Sequence, residues 1–432
     1  MKGKAIKTIS IFMLIFAFIV GLSRATGGKV YAASETTKIN LNENSTITIT
    51  EEGTYEISGT ASEGQIRVDA NNINGEVVLV LNNVNLTCKD EPAILIYSKS
   101  IESENCTVVI KTIEGTTNTV SGGKIKESVL GENQDDLPYY IEKDYDDDGT
   151  YYERYKYDGA ISSDVSIVFE GEGTLIINSL KKEGIEGKQN ITFNSGNYTI
   201  NSLDDGINAC TDNKATITIN GGTVLVNVTD EAEEGDAIDS NGNLYINGGK
   251  VFAFACEKSQ DNGLDADNGI YINGGYVVAT GNMGEAASTE SKQKYLQLQF
   301  SSKVSKDELI VITDSNLNPL TAFKTGREYS ILTISTPELT TDNIKVYSGG
   351  EIEGTAENGL YTKISSYTVG TEKEYSSVQQ HVGPMSFDRP MGEMFNEQSE
   401  NDMTFVNVLL VIMTVILLIL VVVLIIGKRR KE

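Results

Sequence analysis

A parallel β-helix with three short strands per coil is the fold this sequence predicts, on three observations. One phrase recurs four times at a nearly fixed period, its apolar positions alternate by two, and each copy turns at Asn-Gly-Gly or Asn-Ser-Gly. A period in the twenties with strand alternation marks stacked repeats, each of which buries its apolar face against its own coil and its neighbours.

The copies are "ITFNSGNYTI" from 191, "ITINGGTVLV" from 217, "LYINGGKVFA" from 244 and "IYINGGYVVA" from 270. Their turn residues Asn194, Asn220, Asn247 and Asn273 are 26, 27 and 26 residues apart. Before the turn stand the columns Ile191, Ile217, Leu244, Ile270 and Phe193, Ile219, Ile246, Ile272. After it come Tyr198, Val224, Val251, Val277 and then Ile200, Val226, Ala253, Ala279. All four columns are apolar, so one face of each strand is expected to be buried. Asn and Gly tolerate the left-handed backbone of a sharp corner, and stacked asparagines can hydrogen-bond from coil to coil. A leucine-rich repeat lacks its Leu and Asn spacing here. Isolated Asn-Gly hairpins would not hold four copies in register.

The third strand precedes the phrase, in "EGIEG" at 183, "DGINA" at 205, "DAIDS" at 236 and "NGLDA" at 262. With Ile185, Ile207, Ile238 and Leu264 inward, the next residues Glu186, Asn208, Asp239 and Asp265 face outward. Glu183, Asp205, Asp236 and Asn262 lie at the strand entrance, with Asp204, Asp261 and Asp267 beside them. Parallel neighbours lie about 4.8 Å apart, so stacked carboxylates repel unless something neutralises them. Calcium, with oxygen ligands at about 2.3–2.6 Å, suits that gap better than magnesium. A solvated acidic face is the alternative.

The segment 133–157 reads as an insertion. Its "DYDDDG" places Asp144, Asp146 and Asp148 at the first, third and fifth positions of a calcium loop, with Gly149 sixth. The twelfth position is Tyr155 rather than a bidentate Glu, so the match is incomplete. Seven tyrosines fall within residues 139–157. Of these, Tyr145, Tyr151, Tyr152 and Tyr155 are the candidates to stack on sugar rings; packing against the coils is the competing role.

The two ends read as addresses. Lys2, Lys4 and Lys7, a short apolar run and "VYAAS" describe a secretory signal peptide over 1–32. Residues 405–426 are 22 long without a charge and run into "GKRRKE", which predicts one transmembrane helix with a cytoplasmic tail at 427–432. No Leu-Pro-x-Thr-Gly sorting signal precedes it. The expectation is therefore a single-pass cell-membrane protein with its body, 33–376, outside and a linker at 377–404. Within the body, 295–376 is expected to be a strand-rich cap.

The formal charge of −26 with 35 Lys and Arg leaves nucleic acid and nucleotides as unexpected partners. Cys88, Cys106, Cys210 and Cys256 form no CxxC pair. They read as buried free thiols, with an 88–106 bridge as the alternative. The only histidine, His381, lies in the linker, which excludes Ser-His or Cys-His catalysis within the body.

From "EGTYEISGTASEGQIRVDA" (52–70) through "VVLVLNNVNLTCKDEPAILIYS", "TTNTVSGG" and "DGAISSDVSIVFEGEGTLII" to the repeats and "LIVITDSNLNPLTAFKTGREYSILTISTP", the body resembles the clostridial cell-surface carbohydrate-binding domain family. These are right-handed parallel β-helices related in architecture to pectate-lyase-type polysaccharide lyases. The resemblance implies a polysaccharide partner and calcium held at Asp205, Asp236, Asp239, Asp261 and Asp265, with Asp204 and Asp267 adjacent. Glu183 and Glu186 replace the aspartates in the first coil and make a metal there less secure. The insertion and the apolar C-terminal run depart from the family pattern. A non-catalytic binder of acidic (pectic) or cellulosic glycan is the reading. The alternatives are a calcium-dependent lyase using Lys188, Lys214 or Lys258 as base, and a stalk or adhesin that contacts protein.

Overall fold

The computed structural model describes residues 36–378 except 43–44, 102–104, 124–125, 131–136 and 146–148. The chain divides into a large unit, 1–144 with 151–382, and a small one, 145–150 with 383–432. The architecture below is that of the large unit, and it is all-β. Its helical content among the described residues is one 3-10 turn, Ala70–Asn72.

The repeats form three parallel ladders. In the first, Ile94–Tyr97, Ile161–Ser163, Ile185–Gly187, Ile207–Ala209 and Ile238–Ser240 follow one another, after Thr46–Ile49 and Gln65–Asp69. The second runs from Ser166–Gly171 through Ile191–Phe193, Ile217–Ile219 and Asn243–Ile246 to Gly269–Ile272. The third runs from Thr174–Ser179 through Asn197–Ser202, Thr223–Val228 and Lys250–Phe254 to Tyr276–Gly281. The first three repeats thus contribute one strand to each ladder, and the fourth joins the first ladder only by the bridge Ile238–Leu264. Like residues pair: Phe193 with Ile219, Ile219 with Ile246, Ile246 with Ile272.

This register follows from burial. A one-residue slip would turn every apolar column outward, and complete burial of an aliphatic side chain stabilises by about 1.5–3 kcal/mol. Every residue of the four predicted columns is buried and joins one continuous core. Phe169 and Phe193 stack within it, with centroids 4.7 Å apart.

The corner divides its work differently from the sequence expectation. The left-handed residue is the last glycine of each turn, with φ of 105° at Gly196, 79° at Gly222, 78° at Gly249 and 88° at Gly275. None of the turn asparagines has positive φ; they build a side-chain ladder instead. Asn220 Nδ2 donates to Asn194 Oδ1 at 2.9 Å, Asn247 to Asn220 at 2.9 Å and Asn273 to Asn247 at 2.8 Å. A Cβ at Gly249 would lie 2.6 Å from the Gly222 carbonyl oxygen. Gly249→Ala should therefore destabilise the chain by about 1–3 kcal/mol, read as a lower urea midpoint. A wild-type midpoint would show that this corner relaxes freely.

Beyond Gly281 the pairing changes sense. Tyr329–Ser335 pairs antiparallel with Tyr276–Gly281 and with Leu296–Val304. A separate six-stranded sheet contains Ile310–Asp314, Pro319–Phe323, Ile344–Ser348, Glu351–Glu357, Leu360–Thr368 and Thr371–Glu372. A second core, including Phe252, Phe254, Phe300, Phe323 and Tyr329, joins this region to the outer face of the third ladder. The second ladder closes on a loop: Ser288 N–H donates to the Ile270 carbonyl at 2.7 Å and Gln293 N–H to that of Ile272 at 3.1 Å. Ser291 Oγ accepts from the Ile272 amide at 3.0 Å.

The membrane location expected from the sequence is corrected. No helix among the described residues is long and apolar enough to cross a bilayer, since their backbone is committed to strands and turns. The run 405–426 and the leader 1–32 lie outside the described residues, as does the linker from 379 on. The four cysteines are free thiols, Cys106 and Cys256 buried.

Candidate functional site

The first ladder carries an acidic column. Ser162, Glu186, Asn208 and Asp239 are register partners on adjacent strands, and Ile238 bridges Leu264, which places Asp265 next in line. Two carboxylate clusters result, one toward each end. In each, one oxygen from every member lies within 4.8 Å of the others.

Asp236, Asp239 and Asp265 form the partly exposed cluster. Glu285 adds a fourth carboxylate, bonded to Asp265 and accepting from Ala266 N–H at 2.9 Å. Burial, and then the charges of Asp205, Asp265, Asp267 and Glu285, push the Asp239 carboxyl well above its usual range. Burial and then Asp205 and Asp265 do the same to Asp236. Burial and the bond to Asp265 raise Glu285 to about 8. The leading charges on Asp239 are thus all carboxylates, and a cation is what such a cluster lacks. Asn262 Oδ1, buried beside Asp236, accepts no hydrogen bond, although the Asn262 amide donates to Asp236 Oδ1. A set of hard oxygen donors with an orphaned carbonyl oxygen fits calcium.

The other predicted ligands have partners of their own. Asp205 Oδ1 accepts from Asp236 N–H at 2.8 Å and its Oδ2 from Asn208 Nδ2 at 3.1 Å; burial, then Asp204, raises it to about 7. Asp204 pairs with Lys182 at 2.8 Å. Asp261 accepts from Gly235 N–H at 2.8 Å. Asp267 is exposed.

Asp158, Glu183 and Glu186 make the second cluster, which is fully buried. Here the cations are internal. Lys188 Nζ lies 3.0 Å from Glu186 Oε1 and 2.9 Å from the Lys156 carbonyl oxygen. Lys156 Nζ lies 2.9 Å from Asp158 Oδ2, although neither Asp158 oxygen accepts a well-directed hydrogen bond. Burial opposes ionisation of Glu186, but Lys188 and Lys156 outweigh it and hold the carboxyl below its usual value. Burial and the nearby acids push Glu183 well up.

Sequence reasoning missed Asp158 and Glu285. Asp158 sits three residues before Ile161, where the repeat places its acid two before; the "DGA" phrase was the available signal. Glu285 comes from a loop after the last repeat, and no periodicity marks it.

Of the lysines considered as lyase bases, Lys188 is buried and held charged by Glu186, while Lys258 pairs with Glu233 at 3.0 Å. Among the tyrosines, Tyr155 packs on Tyr139 at 4.8 Å, and Tyr139 meets Tyr97 and Tyr157 at 5.2 and 5.8 Å. Arg154 covers the Tyr152 ring at 5.8 Å, and Tyr151 donates its hydroxyl to Glu153 at 2.8 Å. Tyr145 is exposed. The side chain of Asp144 and all of Asp146 and Asp148 lie outside the described residues.

A family model described as carbohydrate-binding domain-containing protein matches residues 43–318. A protein of that description from Acetivibrio thermocellus is 30% identical over 155 residues, which is 36% of this chain and 44% of the relative. The chain therefore spans less than half of that relative's length. A solved structure titled as a polysaccharide lyase-like protein from C. thermocellum, a gadolinium derivative, is 22% identical, covering 56% of this chain and 92% of its own, with a TM-score of 0.36. The match over 43–318 identifies this chain as a member of the carbohydrate-binding domain-containing protein family.

Proposed function

We propose that this chain is a non-catalytic polysaccharide-binding protein in which the three ladders wind as a right-handed parallel β-helix and the outer acidic cluster holds calcium. Family membership supports the polysaccharide as partner. The observation that carries the metal is the convergence of Asp236, Asp239 and Asp265, joined by Glu285 and with only carboxylates among the leading charges on Asp239. These four residues would hold the ion, and calcium supplies there the positive charge that the inner cluster obtains from lysine. The inner cluster is self-neutralised and needs no ion. Acidic (pectic) and cellulosic chains are the candidate glycans.

The test is retention of the full chain on immobilised polygalacturonate and on cellulose, in calcium and in chelator. Retention on either polymer supports the binder, and a calcium-induced rise in melting temperature supports the metal. If neither polymer retains the chain in either condition, the binding reading fails. Release of unsaturated uronide from polygalacturonate would replace it with a lyase.

A further inference from the structure

We infer that an open pocket at the exit of the first ladder takes an anionic sugar residue, its negative group set between Lys99 and Lys214. This deepens the polysaccharide reading and rests on it. The pocket has a volume of about 670 Å³ and is lined by Lys99, Tyr140, Gln189, Asn190, Thr211 and Lys214 among others, inside the roughly 300–1,000 Å³ range of ligand pockets.

Its composition runs against that of the chain. On a protein of net charge −26, this pocket gathers two lysines, and no carboxylate among the described residues that line it. Lys214 makes no ion pair among the described residues, and both lysines are exposed. An ammonium group is a compact point charge with three donors, suited to a carboxylate or sulfate ester. Gln189, Asn190 and Thr211 are the residue types that engage ring hydroxyls. Asn190 uses its Oδ1 to accept from Thr216 N–H at 3.0 Å, so its Nδ2 donor is not needed for that bond. The side chain of Tyr140 offers an aromatic wall.

The walls are held by backbone. The three turns that line the pocket follow Ile94–Tyr97, Ile185–Gly187 and Ile207–Ala209, strands of one ladder in which Ile161–Ser163 lies between the first two. Lys99 N–H donates to Asn71 Oδ1 at 2.8 Å, and Asn71 Nδ2 donates to the Pro138 carbonyl at 3.0 Å, tying the insertion to the same wall. Around Lys214, Asn213 adopts the left-handed conformation with φ 57°. The Lys214 and Ala215 amides both donate to the Thr211 carbonyl, at 3.2 and 3.0 Å. Thr211 Oγ1 reaches back to the Lys188 carbonyl at 2.5 Å. Asp212, exposed on this turn, accepts from Asn241 Nδ2 at 2.9 Å. Turns whose backbone is already held lose little order on binding.

The experiment is binding of the full chain, in chelator, to de-esterified polygalacturonate, fully methyl-esterified polygalacturonate, dextran sulfate and cellulose. It is repeated with Lys99→Ala, Lys214→Ala and Lys214→Glu. The expected result is binding to an anionic polymer that weakens at least about tenfold for each alanine and further for Lys214→Glu, with cellulose unaffected by all three. Loss on methyl esterification identifies a uronate as the source of charge; binding to dextran sulfate alone identifies a sulfate ester. Anionic-polymer binding unchanged in the lysine variants, or lost in chelator, overturns the pocket and leaves the polysaccharide reading intact. Retention on cellulose only does the same. No binding to any polymer, with or without calcium, overturns both. Circular dichroism of the variants, expected to match wild type for these exposed positions, separates a lost pocket from a lost fold.

Discussion

Asp239→Asn will raise the melting temperature of the chain in chelator and lower it, relative to wild type, in calcium. The two signs have one cause. Without a cation, burial and the charges of Asp205, Asp265, Asp267 and Glu285 oppose ionisation of Asp239, so near neutral pH folding must either protonate it or bear that repulsion. The amide, which carries no charge, should stabilise the fold by about 1–3 kcal/mol. With calcium, the same change removes a charged oxygen ligand, and the ligand-linked stabilisation shrinks with the affinity.

The pH profile has the matching form. Asp205 is raised to about 7 and Glu285 to about 8, while unfolded carboxyl groups titrate near pH 4. These groups hold protons in the folded chain that the unfolded chain has released, so the unfolded state binds fewer protons across that window. Stability in chelator should thus be full below about pH 4 and fall as pH rises to about 8, roughly 5–10 °C in melting temperature. Calcium should flatten that fall, since it replaces the protons. A flat profile in chelator, or identical curves with and without calcium, would remove the metal from the proposal.

The largest single loss is expected at Lys188→Met. Lys188 and Glu186 are each 5% exposed and paired at 3.0 Å, and Lys188 also lies over the Tyr157 ring at 5.0 Å. Removing one partner of a buried pair leaves the other charge without compensation, at a cost of about 3–5 kcal/mol. Glu186→Gln in the same chain should recover much of that, because the amide oxygen can still accept from Asp158 N–H and Ser162 Oγ, now at 3.0 and 2.9 Å. Urea unfolding of the two single variants and the double variant measures the coupling. Additive losses would show that the pair acts as two independent residues.

What was legible in the sequence is what repeats. The columns through Ile191, Phe193, Tyr198 and Ile200 could be read as buried because the same choice is made four times, and the ladder of turn asparagines followed from their period. The outer cluster was half legible: Asp236, Asp239 and Asp265 lie at repeat positions, whereas Glu285 reaches them from a loop with no period. Of the inner cluster only Glu183 and Glu186 were legible, as positions where a metal is less secure. Its lysines lie on the insertion side and on the following turn, and only the packed chain shows Lys156 and Lys188 supplying the charge. Tyrosine spacing, likewise, could not distinguish a ring packed on Tyr139 from one left in water.

The antiparallel strand Tyr329–Ser335 across Tyr276–Gly281 has a consequence for the chain in company. A parallel stack is a growth front, since the exposed edge of its last repeat presents the amide pattern that would accept another repeat. Here the third ladder meets a strand of opposite sense, and the second is sealed by the amides of Ser288 and Gln293 and the hydroxyl of Ser291. On the first, Ala266 N–H is taken by Glu285. Three different terminators leave no common template at that end for a further repeat in continuing register.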